Sequence, residues 1–136
     1  MRMEDCVFCK IVKGEVPCHK VYEDDSVLAF LDIYPKAKGH ILVIPKKHFE
    51  NIHEIEDGSL RDVISVVKKM SFLVKEKLGV KSVNVLNASG KEAQQSVFHI
   101  HFHVLPRVED DALDVFHLKK DFEKPDLDEL KRVLTS

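Results

Sequence analysis

Residues 97–107 read VFHIHFHVLPR. His99, His101 and His103 stand at every second position, with Ile100, Phe102 and Val104 between them. Period two is the signature of a half-buried strand. The stretch SVFHIHFHVLP is therefore read as one long strand that ends before Pro106. Phe98, Ile100, Phe102 and Val104 then face the core, and three successive positions of the other face carry only imidazole. Same-face neighbours on a strand lie about 6.5 to 7 Å apart. The rings form a row, too widely spaced to touch unless they reach towards a shared guest.

Working outward, KSVNVLN (residues 81–87) reads as a neighbouring strand, joined to the first by the polar loop ASGKEAQQ. Before it runs the clearest helix of the chain, residues 59 to 78. Leu60, Val63, Ile64, Val67, Met70, Val74 and Leu78 form its apolar stripe. Ser59 with Asp62 resembles a capping box, and Gly79 is placed to end the helix. ILVIP is a buried strand that stops at Pro45, and HKVYEDDSVLAFLD is two short strands around a turn at Glu23-Asp24-Asp25. At the N-terminus Asp5 is positioned to cap a short helix over residues 6 to 13, ended by Gly14 and Pro17, which puts Cys6 and Cys9 on one side. DLDELKRVL near the C-terminus is a further possible helix. Strands joined by short turns, with one long helix between them, imply an α+β domain: an antiparallel sheet with a helix on one face.

The 136 residues suffice for one domain with a real core. A net charge of -2 gives no field that would attract nucleic acid or an anionic membrane. The apolar runs are too short to span a bilayer, and MRMEDCVFCK has no signal-peptide core. A cytoplasmic protein is expected, and three cysteines suit reduced thiols better than a disulfide scaffold.

Two chemistries suit the imidazole row. His-x-His on a strand can hold zinc with a further ligand. Alternatively a neutral imidazole nitrogen attacks phosphorus while an imidazolium beside it donates to phosphate oxygens. The preceding loop offers Asn87, Gln94, Gln95 and Ser96, neutral donors suited to an anion. Glu92 is its only carboxylate, which weakens the case for a dedicated metal cage.

HIHFHVL fits the pattern His-φ-His-φ-His-φ-φ and resembles the histidine triad family of nucleotide-binding proteins and nucleotidyl hydrolases. CVFCKIVKGEVP, YEDDSVLAFLDIYPKAKGHILVIPKKH and QSVFHIHFHVLPR together are similar to its Hint branch, over roughly residues 4 to 107. The resemblance implies a five-stranded antiparallel sheet carrying one long helix and a short N-terminal helix. It implies a single domain over residues 1–136, with its core at about 4–107 and a tail at 108–136, and a homodimer across which the sheet continues. It also implies cleavage of purine nucleoside phosphoramidates, or related small nucleotides, at the α-phosphate through a covalent nucleotidyl-histidine. His101 matches the nucleophile, His103 the donor to phosphate, and His99 with His40 the surrounding network. Asn87, Gln95 and Ser96 match the phosphate-side donors and Asp32 the ribose carboxylate. Phe8, Val16, Phe30 and Ile33 match the apolar slot for the base, although plain core is an equal reading for the two phenylalanines.

Cys6-x-x-Cys9 reads as half of a zinc site, or as a redox pair. By the resemblance His48 and His99 complete the zinc site as a closed Cys₂His₂ set, which is structural. One zinc per chain follows, and no catalytic metal. Cys18, His19, His53 and His117 match no role. Two departures stand out. Gln94 occupies a position where the family has glycine, and a tryptophan-bearing C-terminus is missing. Dinucleoside polyphosphate hydrolysis, a nucleotide-binding or scaffolding role with little turnover, and a metal-dependent hydrolase remain as alternatives.

Overall fold

A computed structural model describes residues 3–116 and 123–136; His117 lies outside them. Five strands form one antiparallel sheet: β1 (Lys20–Glu23), β2 (Val27–Leu31), β3 (Ile41–Pro45), β4 (Ser82–Leu86) and β5 (Phe102–Arg107), in the order β1-β2-β3-β5-β4. A single turn of 3-10 helix at Met3–Asp5 leads into α1 (Val7–Val12); α2 (Asp57–Leu78) and α3 (Leu127–Thr135) follow. The expected α+β architecture is observed.

The two faces of the sheet are sorted by strand periodicity. On one side Val27, Ala29, Ile41, Val43, Phe102 and Val104 pack with α2. On the other, Leu28, Phe30, Leu42 and Ile44 pack with Phe8, Cys6 and Cys9 of the α1 region. Alternate residues of β2 and β3 thus serve two separate cores. The triad histidines alternate with Ile100, Phe102 and Val104, all in the α2 core, so the imidazoles belong to the α1 side.

Several boundaries differ from the sequence reading. The strand carrying the triad is shorter, starting only at Phe102. Residues 96–101 leave the ladder because Ile100 donates its N–H to the Phe49 carbonyl at 2.8 Å, in a loop outside the sheet. At the other end β5 continues through Pro106, which faces Val83 in register. Phe98 is only half-buried. Helix α2 starts at Asp57, with Glu56 at its N-cap and no side-chain cap bond, so Ser59 and Asp62 form no capping box. Val66 is buried on α2, whereas Ile64 and Leu78 are largely exposed. Gly79 ends α2 as expected, in the left-handed conformation (φ 69°). Cys6, not Asp5, caps α1: its Sγ accepts from the Cys9 N–H.

Gly39 fixes the loop that enters the site. Its φ is +87°, and a Cβ there would lie 2.5 Å from Leu78 Cδ1. The positive φ favours glycine at the residue before His40, and a side chain there would have to displace the end of Leu78. At the far end of β5 from the imidazoles, Arg107 holds Asp111 through two 2.7 Å bonds and Asn84 through a third, tying the start of the tail to β4.

Candidate functional site: an imidazole cluster beside a Cys₂His₂ set

The topology brings three strand ends together. Leu31 pairs with Ile41, and Ile41 with Val104. Asp32 therefore follows the end of β2, His40 precedes β3, and His103 precedes Val104 on the adjacent strand. His40 Nε2 lies 2.8 Å from His103 Nδ1 and 3.5 Å from Asp32 Oδ2.

The backbone fixes the tautomer of each ring. The Lys36 N–H donates to His40 Nδ1 at 3.1 Å. His40 therefore carries its proton on Nε2 and donates it to His103 Nδ1. His103 in turn must carry its proton on Nε2, facing outward from this chain of bonds. His101 Nδ1 lies 2.9 Å from the His99 carbonyl, an acceptor, so Nδ1 is protonated and Nε2 holds the lone pair. That Nε2 has no hydrogen bond, yet among the described residues no fully buried polar atom lacks a partner. The lone pair therefore reaches an accessible surface, although the ring as a whole is only 3% exposed.

Burial keeps these rings neutral. It pushes His103 down to about 4, helped by His101 and His40, and it lowers His101 and His40 below the ordinary imidazole value. The imidazolium expected beside the nucleophile is therefore not favoured at neutral pH; the donor is a neutral Nε2–H fixed by tautomer.

His99 turns away from this group. Its Nε2–H donates to the Pro45 carbonyl at 2.8 Å, which leaves the Nδ1 lone pair directed at Cys6 Sγ (3.4 Å), Cys9 Sγ (3.6 Å) and His48 Nδ1 (3.2 Å). Cys9 Sγ is 3.3 Å from His48 Nδ1. The four ligand atoms all lie within 4.8 Å of one another. Zinc bonds of about 2.3 Å to sulfur and 2.0 to 2.1 Å to nitrogen give tetrahedron edges of roughly 3.3 to 3.8 Å. The donor set fits that ion. Burial and Cys6 push the Cys9 thiol up to about 11; two thiolates side by side in this apolar pocket need a cation between them.

The remaining expected residues separate into different roles. Phe8 and Phe30 are buried core, in edge contact at 5.6 Å, and Phe8 also lies edge-on to His99 and His101. Val16 is half-buried and Ile33 is 69% exposed. Ser96 is exposed. Asp32 accepts from the Tyr34 N–H at 2.8 Å, which leaves acceptor capacity on both oxygens. Gln95 is turned inward: its amide donates to the Glu50 and Val97 carbonyls and accepts from the Gly90 N–H. Its side chain is a loop brace, and both amide protons are used. Asn87 donates to the His101 carbonyl at 2.9 Å and so holds the backbone of that ring. His53 and His19 are exposed, and Cys18 packs at the edge of the α1-side core.

The HIT domain family matches residues 13–110. The chain belongs to the histidine triad family. This HIT chain is 48% identical to the adenosine 5'-monophosphoramidase of Schizosaccharomyces pombe over 102 residues, 75% of the chain and 74% of that protein. Among solved structures it resembles a HIT family member from Bacillus subtilis, with a TM-score of 0.85 and 41% identity, covering 96% of this chain and 95% of that one. It also resembles a zinc-bound histidine triad family protein from Mycobacterium smegmatis, with a TM-score of 0.79 and 36% identity, covering 98% and 92%. Cys6 and Cys9 precede the residues of the family match.

Gln94, set by the sequence resemblance at a glycine position, has a φ of +67°. A left-handed conformation costs a non-glycine residue about 1 to 2 kcal/mol, against about 0.5 to 1 kcal/mol for the extra freedom of glycine in the unfolded chain. Gln94→Gly is expected to raise the urea midpoint by the equivalent of about 0.5 to 1 kcal/mol, and Gln94→Ala is not. Equal midpoints for the two variants would mean that the strain is not felt there.

Proposed function

We propose that this HIT protein is a nucleotidyl hydrolase, acting on purine nucleoside phosphoramidates through a covalent nucleotidyl-His101. The observation that carries this reading is the His101 tautomer. The His99 carbonyl holds the proton on Nδ1, and a bare, accessible lone pair stays on Nε2. A neutral imidazole in that state is a ready nucleophile at pH 7.

In the first step Nε2 attacks the α-phosphorus and the bond from phosphorus to the leaving nitrogen breaks. The departing amine takes a proton from solvent and the ring becomes a nucleotidyl-imidazolium; the proton is returned to solvent when the attacking water is deprotonated in the second step. In the second step water attacks the same phosphorus, the Nε2–P bond breaks, and nucleoside monophosphate leaves with His101 neutral again. The His103 Nε2–H is oriented by the relay from Lys36 N–H through His40 to donate to a phosphoryl oxygen as charge develops. Dividing one displacement in two makes catalysis mainly a matter of positioning and charge stabilisation. The name of the fission-yeast relative supports the phosphoramidate class. Dinucleoside polyphosphates are the alternative substrate.

Cys6, Cys9, His48 and His99 are proposed to hold one structural zinc. That ion would fix His99, whose carbonyl orients His101, so the ligands act on the nucleophile through the backbone. The reading also includes one domain and a homodimer. β4 is a sheet edge with Val85 and Leu86 largely open, which a second copy would cover.

Turnover across a panel of nucleoside phosphoramidates and dinucleoside polyphosphates, as ribo and deoxyribo forms, tests the reading. Fastest release of AMP from the phosphoramidate is expected. No turnover of any member would leave a binding module. Asp32→Ala is expected to remove the preference for ribose and to weaken binding by roughly 1.5 to 3 kcal/mol, the range for hydrogen bonds to a charged group. An unchanged preference would restrict Asp32 to the turn at Tyr34.

A further inference from the structure

Helix α3 is the feature the site leaves unexplained. Leu127, Leu130, Val133 and Leu134 fall on one stripe of it and are 57%, 41%, 56% and 80% exposed. Asp126 caps it by accepting from the N–H groups of Asp128 and Glu129. Every one of its residues is exposed. A helix of nine residues is marginal in water on its own and is held by packing of its apolar face. Its own chain supplies no such packing among the described residues.

A matching surface lies elsewhere. A groove of about 550 Å³ runs between β1 and α2, remote from the imidazoles. Val21, Tyr22, Met70, Phe72 and Leu73 line it, and Phe72 is 51% exposed. Its charges are ordered along α2: Lys68 and Lys69 come first and Glu76 last. The helix is ordered in the complementary sense, with Asp126, Asp128 and Glu129 at its start and Lys131 and Arg132 near its end.

We propose that α3 docks in this groove on a second copy of the chain. Its aliphatic stripe rests on Phe72 and Leu73, its acidic start lies against Lys68 and Lys69, and Lys131 and Arg132 approach Glu76. The helix is about 14 Å long and about 10 Å wide. Half of its lateral surface is on the order of 220 Å², so a reciprocal exchange buries about 900 Å² in total over both sides of both contacts, less than a stable interface needs by itself. A two-fold exchange closes on itself and leaves no open end. It adds a second contact to a pair formed through β4 and is independent of the reading of the catalytic site.

Cross-linking tests it on the full chain with Cys18→Ser as background and zinc present. Chains labelled with ¹⁵N and carrying Phe72→Cys are mixed with unlabelled chains carrying Leu130→Cys, and a short bismaleimide is added. Both substituted residues are exposed, so folding is not at stake. A cross-linked species containing one labelled and one unlabelled chain is expected. Lys68→Glu with Lys69→Glu should reduce its yield at least fivefold, and Asp128→Lys with Glu129→Lys on the other chain should restore it. No mixed species would overturn the proposal. So would cross-linking only within single chains when both cysteines are placed in one chain at high dilution, because the groove would then hold its own helix. A yield indifferent to both charge swaps would overturn the arrangement as well.

Discussion

Replacing His101 with alanine is expected to lower turnover of a nucleoside phosphoramidate by roughly 10⁴-fold or more, as for other residues that form a covalent intermediate. That is about 5.5 kcal/mol of transition-state stabilisation. Binding of AMP should change little, because ribose and base contacts are assigned to other residues. His101 is buried, and the truncation leaves a hole beside Phe8. A thermal melt must therefore accompany the assay, and His101→Gln, which fills the space without a nucleophilic ring nitrogen, should show the same kinetic loss. His103→Ala should slow the reaction by a smaller factor, since it removes a donor and not the attacking atom. Near wild-type turnover in both His101 variants would move the chemistry to another group.

Cys6→Ser is expected to cost stability more than any surface substitution. Structural zinc contributes on the order of 10 kcal/mol to the folding of small zinc domains. This chain has two apolar cores besides, so the expected loss is smaller, about 3 kcal/mol, or about 10 °C in melting temperature. The wild-type protein purified without chelator should carry one zinc per chain, and prolonged chelation should reproduce the shift seen in the variant. The same change should slow turnover without abolishing it, because His99 would lose its anchor while Pro45 still accepts from its Nε2. Full stability with no metal in the purified protein would leave Cys6 and Cys9 as packing residues.

Side-chain periodicity made much of this molecule readable in advance. The alternation around the triad put Ile100, Phe102 and Val104 in the α2 core, and the stripe on α2 was right at Val63, Val67, Met70 and Val74. Periodicity does not report where a ladder ends. Residues 96–101 have strand-like alternation, but their backbone is diverted to the Phe49 carbonyl, a partner with no sequence signal. The same blindness applies in the site. The carbonyls of Pro45 and His99 and the Lys36 N–H decide which nitrogen of each ring carries a proton, and backbone groups exist at every residue. Gln95 is ambiguous in sequence for a related reason. Its amide suits a phosphate as well as it suits a loop, and only the distances to Glu50, Val97 and Gly90 show which it serves. Gln94 is the reverse case: the resemblance gives that position to glycine, the residue that tolerates positive φ, and the backbone is left-handed there.

The central claim is that His101 Nε2 forms a bond to phosphorus. Wild-type protein mixed with a nucleoside phosphoramidate is quenched in alkali within the first turnover, digested, and the peptide containing residues 97–107 is weighed. The account predicts an added nucleotidyl mass on His101, retained in alkali and lost in acid, because a phosphorus–nitrogen bond to imidazole is acid-labile. The mass should not appear in His101→Gln. Turnover by wild-type protein with no adduct at any time, or an adduct on His99 or His103 in its place, would contradict it.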